Sequence, residues 1–181
     1  VKFDPAIHHR RSIRLHGYDY SKKGAYFITT CTHHQECLFG EIVDGEMRLN
    51  DVGKIVADEW MKTATIRHEI ELDNWMVMPN HFHAIFLITN SVSMSKGRGD
   101  RPVAPTGPQP RSVGAVIAGF KSAVTKRVND LENTPGRKLW QRSYWEHIVR
   151  NETELHQLRK YVQNNPKQWF LDTLFIWGDS S

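Results

Sequence analysis

Two histidines one residue apart, His81 and His83, flank Phe82 at the head of the apolar run Ala84-Ile85-Phe86-Leu87-Ile88. That run is rich in β-branched and aromatic residues and predicts a buried strand. Alternate side chains of a strand share a face, so the two imidazoles stand together, ~7 Å apart at a rise of ~3.3 Å per residue, and Phe82 turns to the other side. Leaning together, they can ligate one metal ion. Facing solvent, they are two polar residues at a strand end. Further along, Tyr161 and Asn165 are spaced by four, which puts them on one face of a helix. A tyrosine with its ordinary pKa of ~10 is a poor nucleophile at neutral pH. Beside a divalent cation that polarises a phosphate, it can attack phosphorus and form a phosphotyrosine. Two imidazoles from a strand and an amide oxygen from a helix form a neutral N/O donor set with open positions. Such a set suits Mg²⁺ or Mn²⁺ better than a closed structural zinc. The same residues also have a plainer reading, with Tyr161 a buried helix-face aromatic and Asn165 a C-cap before Pro166.

The elements that must position these groups can be read in chain order. His8–Tyr20 is basic with interleaved aromatics and reads as an arm rather than a core element. Gly24–His33 predicts a strand, and Leu38–Asn50 a hairpin turning at Asp44-Gly45. Asn50 or Asp51 caps a helix to about Ile66, whose Val52, Ile55, Val56, Glu59 and Trp60 fall on one stripe. Glu69–Met78 and His81–Thr89 predict adjacent antiparallel strands across the Pro79-Asn80 turn. Asn90–Arg111 carries four prolines among Ser and Gly and reads as a flexible insertion. Ser112 caps a helix to about Leu131, Leu139–Arg150 predicts the last strand, and Glu152–Asn164 the last helix. The tail Trp169–Trp177 is apolar enough to pack back or meet a partner. This order predicts an α+β fold, a single domain whose antiparallel sheet is covered by helices.

Composition narrows the classes. The 181 residues are 39% hydrophobic and 24% charged, ordinary for a globular domain. No apolar run reaches the ~20 residues of a bilayer span. The stretch VKFDPAIHHRRSIR has no apolar signal region, and Cys31 and Cys37 make no disulfide framework or strong zinc pattern, so a reducing cytoplasm is expected. Net charge is +4, but residues 96–150 hold eleven Lys/Arg against four Asp/Glu, a local +7 that leaves −3 elsewhere. A positive half of this kind is the footprint of a polyanion binder or a solvated face.

Several segments taken together carry a family resemblance. NWMVMPNHFHAIFLI resembles the His-hydrophobic-His (HUH) motif of single-tyrosine transposases, and YVQNNPKQW resembles the tyrosine helix of their REP-associated branch. RRSIRLHGYDYSKKGAYFITTCT, GFKSAVTKRVN and the Trp140–Arg150 stretch are similar to the same branch, in the same order. The resemblance implies an RRM-like (ferredoxin-like) antiparallel sheet flanked by helices, in a metal-dependent single-stranded DNA endonuclease and strand transferase. By position, Tyr161 matches the nucleophile, His81 and His83 the metal pair, and Asn165 the third ligand, often a glutamine in insertion-sequence members. Attack by Tyr161 implies a 5′-phosphotyrosine and a free 3′-hydroxyl, on DNA carrying a folded hairpin. Arg10, Arg11, Arg14, Lys121, Lys126, Arg127 and Arg142 are the expected nucleic-acid contacts, with Arg137 beside them and arm aromatics stacking on bases. The family implies a bacterial cytoplasmic, nucleoid-associated protein, with monomer and homodimer both open. The competing class is a silent module that only holds hairpin DNA or RNA; a metal-dependent small-molecule hydrolase would leave Tyr161 without a role.

Overall fold

The computed structural model describes residues 17–89 and 108–174. Residues 1–16, with Arg10, Arg11 and Arg14, and residues 90–107 of the insertion lie outside that description. Strands β1 (Gly24–Cys31), β4 (Ile70–Val77), β5 (His81–Ile88) and β6 (Trp145–Val149) form one sheet in the order β4-β5-β1-β6. All its pairings are antiparallel. A separate hairpin joins β2 (Gly40–Val43) to β3 (Glu46–Leu49). Its two turn residues, Asp44 and Gly45, both take positive φ, +53° and +75°, as the tight turn between twisted strands requires.

Helix α1 (Asp51–Ile66) begins where the Asn50 side chain accepts from the Gly53 backbone N–H at 2.9 Å. Gly53 lies so close to the hairpin that a Cβ there would stand 2.1 Å from the Phe39 carbonyl oxygen. Helix α2 (Val113–Glu132) is capped likewise by Ser112. Both helices pack on the sheet face that carries Tyr26 and Ile28 of β1 and Phe82, Ala84, Phe86 and Ile88 of β5. There Trp60 meets the rings of Phe82, Phe86 and Phe120 at 5.1–5.7 Å. Glu59 shares the buried stripe of α1, its carboxylate held by Arg127 at 2.7 Å and Lys62 at 2.9 Å.

Helix α3 (Glu152–Asn164) covers the opposite face through a smaller cluster of Phe27, Ile85, Leu155 and Val162. Arg159 of α3 also forks onto Asp73, which lies where the β4–β5 register shifts between Leu72 and Trp75. The chain is α+β, with a four-stranded antiparallel sheet flanked by helices.

Two expectations need correction. The last strand is only Trp145–Val149: residues 139–144 run irregularly, and Trp140 is buried while bridging Thr32. Helix α3 ends at Asn164 as expected, and the chain beyond its C-cap Asn165 tightens into a 3-10 helix, Pro166–Leu171. Tyr18 and Tyr20 are not free arm residues, since they pack on each other at 4.9 Å and Tyr20 lies 6.3 Å from Tyr26. Burying their rings against the sheet outweighs leaving them exposed.

Candidate functional site

Alternation along β5 sends Phe82 into the α1/α2 core and turns His81 and His83 toward α3. Both histidines are buried, and their Nε2 atoms are 2.9 Å apart. Asn80 orients the first. Its Nδ2 donates to the carbonyls of Gln35 at 3.1 Å and Leu174 at 2.8 Å, leaving Oδ1 to face His81 Nδ1 at 2.8 Å. An amide oxygen only accepts, so Nδ1 carries the proton. Burial pushes His81 down to about 4, so its ring is neutral at pH 7 and presents a lone pair at Nε2.

Thr29 lies directly across β1 from His83, with its Oγ1 2.7 Å from Nδ1. A hydroxyl can donate or accept, so this partner serves either tautomer of His83. Burial, with His81 alongside, holds His83 well below its ordinary pKa, and it too is neutral. Two such rings can share one hydrogen between their Nε2 atoms, or turn both lone pairs to one cation.

Tyr161 stands on the last turns of α3, with 41% of its surface exposed and its hydroxyl 3.4 Å from His83 Nε2. That separation is longer than an ordinary hydrogen bond. Burial raises the tyrosine pKa, the Asp172 charge adds to this, and Asn165 opposes it. Asn165, at the C-cap of α3, donates from Nδ2 to Asp172 Oδ2 at 2.8 Å. Its Oδ1 is buried with no hydrogen-bond partner, although the side chain lies close enough to shift both Tyr161 and His81. Asp172 is fixed from its other oxygen by the Leu174 N–H at 2.8 Å. Among the described residues, His81, His83 and Asp172 bring ligand atoms within 4.8 Å of one another.

These donors fit a divalent cation. Two neutral imidazole nitrogens and a carboxylate are grouped beside the orphaned amide oxygen of Asn165, and two of these residues, His83 and Asp172, also line an open cleft of ≈ 620 Å³. The expected phosphate-binding cations are spread more widely. Lys126 and Arg142 are exposed in a neighbouring groove of ≈ 540 Å³, with Arg137 and Lys138. Arg127 instead spends its charge on Glu59 and Asp58, at 2.7 and 3.5 Å. The Lys121 ammonium donates to the carbonyls of Gln141 and Ser143, and burial pushes its pKa down to about 8.

An uncharacterized protein of Haemophilus influenzae is 38% identical over 182 residues, covering 97% of this chain and 98% of its own. The chain belongs to the family of that protein. No family model matches the sequence. Among solved structures, a REP-associated tyrosine transposase bound to a REP hairpin shares the fold. The TM-score is 0.58, over 93% of this chain and 94% of the other, at 17% identity. Within this family member, three site residues escaped the sequence reading. Asn80 had a signal, lying next to His81 in the turn, and Thr29 had one in the parity of β1. Asp172 had none, because only the 3-10 path after Asn165 brings it back to the histidines.

Proposed function

We propose that the protein is a metal-dependent, single-strand-specific DNA nicking and joining enzyme of the HUH single-tyrosine type, acting on hairpin-containing DNA. One observation carries the reading: the hydroxyl of Tyr161, a residue 41% exposed, stands 3.4 Å from a buried, neutral histidine pair whose Nε2 atoms lie 2.9 Å apart. The fold shared with a transposase bound to a REP hairpin supports the choice of substrate.

His81, His83 and Asp172 would hold the cation, with the unpartnered Asn165 oxygen as a further ligand. Two neutral imidazoles with a carboxylate and an amide oxygen form an N/O donor set that would suit Mg²⁺ or Mn²⁺. Such an ion would polarise the scissile phosphate and neutralise charge on its oxygens. The Tyr161 oxygen attacks phosphorus in line, losing its proton; the bond to the departing 3′-oxygen breaks, and that oxygen ends as a 3′-hydroxyl. The phosphodiester energy is kept in the 5′-phosphotyrosine, so a second 3′-hydroxyl can reverse the step and join strands. Lys126, Arg137, Lys138 and Arg142 would hold the flanking backbone.

Cleavage of hairpin-flanked single-stranded DNA, compared in Mg²⁺, Mn²⁺ and chelator, tests this. Scission is expected only with metal. His81→Ala should lose it and regain part at raised Mn²⁺. Cleavage that persists undiminished in chelator would exclude the metal-dependent mechanism.

A further inference from the structure

The cleft beside Tyr161 is far more apolar than phosphate chemistry needs. Its floor is the β1 face carrying Phe27 and Thr29, and its walls are Trp145 of β6 and Leu158 and Tyr161 of α3. Trp145 is paired directly with Thr29 across the edge of the sheet, so both project to the same side. Its ring stays 40% exposed, an unusual state for a tryptophan on a folded sheet.

That ring is nonetheless braced. Phe27 meets it edge-on at 5.4 Å and 71°, and His147 lies parallel to it at 5.7 Å and 4°. Phe27 also stacks on His83 at 5.5 Å and meets Tyr161 edge-on at 6.0 Å. One buried phenyl ring therefore sets the spacing of the nucleophile, a metal ligand and an exposed aromatic plane. His147 is fixed in turn by Glu154 at 2.6 Å. An open, pre-positioned aromatic plane suits a flat π-surface, and every nucleobase offers one. The cleft volume of ≈ 620 Å³ lies in the range of small-ligand pockets.

Charge says which flat ligand belongs there. Gln141 lines both this cleft and the groove of Lys126, Arg137, Lys138 and Arg142, whose lining holds no carboxylate. Of these cations, Arg137 is partly spent on Glu132 and Glu36. An apolar seat for a ring joined to a cationic track for a chain matches the two parts of a single strand.

We infer that the cleft between Trp145 and Tyr161 receives one unpaired base next to the reacting phosphate, stacked on Trp145, while the backbone runs past Gln141 into the basic groove. This rests on the DNA-processing reading and adds a requirement to it. The base at that position must be unstacked from its neighbours, so the site reads single-strandedness through a ring as well as through the exposed phosphate.

The test uses the full chain carrying Tyr161→Phe, to prevent turnover, and two probes. One is a DNA stem-loop with a single-stranded thymidine tail; the other has the same tail made abasic. Adding Trp145→Ala should weaken the thymidine probe by roughly 5- to 150-fold, the worth of stacking one base. It should leave the abasic probe unchanged, and Trp145→Phe should recover part of the loss. Equal losses on both tails, or none on either, would overturn the base seat, as would a change in oligomeric state with tail binding intact. If the protein with Tyr161 restored still cleaves hairpin-flanked DNA in that case, the proposed function stands without the base seat. If the Trp145 loss is specific to the thymidine tail but no metal-dependent cleavage occurs, the base seat stands and the nuclease reading falls.

Discussion

The two faces of the sheet divide the work. The α1/α2 face is dry and aromatic, with Phe82, Phe86, Trp60 and Phe120 interlocked and fully or almost fully buried. The α3 face has a small apolar cluster at one end and, at the other, two buried imidazoles, an orphaned amide oxygen and an open cleft. Alternation along one strand separates them, since Phe82 belongs to the first face and its neighbours His81 and His83 to the second. Apolar burial is concentrated on the face away from the candidate site, which leaves the other face free to keep polar groups that an apolar core would exclude.

The largest contrast should come from adjacent residues. Phe82→Ala is expected to cost about 3–5 kcal/mol of unfolding free energy in a denaturant titration, because it opens a cavity among three aromatic rings. His83→Leu keeps the volume but removes the hydrogen-bond partner of Thr29 Oγ1 and of buried His81 Nε2, so it should cost about 1–3 kcal/mol in metal-free protein, less than Phe82→Ala. If His83→Leu costs as much as Phe82→Ala, the two faces are not energetically distinct.

Asn80→Ala removes both carbonyl contacts and the acceptor that fixes the His81 tautomer. It should cost about 1–3 kcal/mol in stability and, by calorimetry, about 10–100-fold in metal affinity. A loss of stability with metal affinity intact would make Asn80 a turn residue only.

The buried histidines also set a pH signature. Their folded pKa values lie below the unfolded ~6.5, so the unfolded chain binds protons first. Stability is complete above that value and falls steadily with acid as pH drops from ~6.5 toward about 4, where His81 takes up its proton in the folded state. His81→Gln should flatten that part of the metal-free curve. An unchanged slope would place the responsible protons elsewhere.

The smallest effect concerns how α3 is held. Arg159→Ala should cost about 1 kcal/mol or less in overall stability, since the arginine side chain is more than a third exposed and solvent screens the pair. Its clearer readout is faster amide exchange in α3 than in β5 or α2, because that helix rests on the smaller cluster. Equal protection of α2 and α3 would argue against a loosely held site face.

What was legible in the chain was local. The Asp44-Gly45 turn, the Asn50 and Ser112 caps, the parity of His81 and His83 and the antiparallel pairing of β4 with β5 across Pro79-Asn80 each follow from a few neighbouring residues, whereas the placing of β1 between β5 and β6 does not. Contacts set by distant packing were not legible. Tyr18 and Tyr20 look like arm residues until Tyr26 is seen beneath them, and Trp140 reads as strand until it is found bridging Thr32. Asp172 joins the histidines only because the backbone tightens after Asn165. The charges of Lys121 and Arg127 are consumed by partners from other elements, which no count of basic residues reveals.

The central claim is that Tyr161 carries DNA covalently. End-labelled, hairpin-flanked single-stranded DNA incubated with the protein and Mn²⁺, then run on a denaturing gel, tests it most directly. Label should move with the protein, map to the peptide holding Tyr161, and disappear in Tyr161→Phe at every metal concentration, while that variant still binds the DNA. An adduct that persists in Tyr161→Phe would contradict the account and assign the nucleophile elsewhere. No adduct from the unmutated protein on any such substrate would leave a module that holds DNA without cutting it.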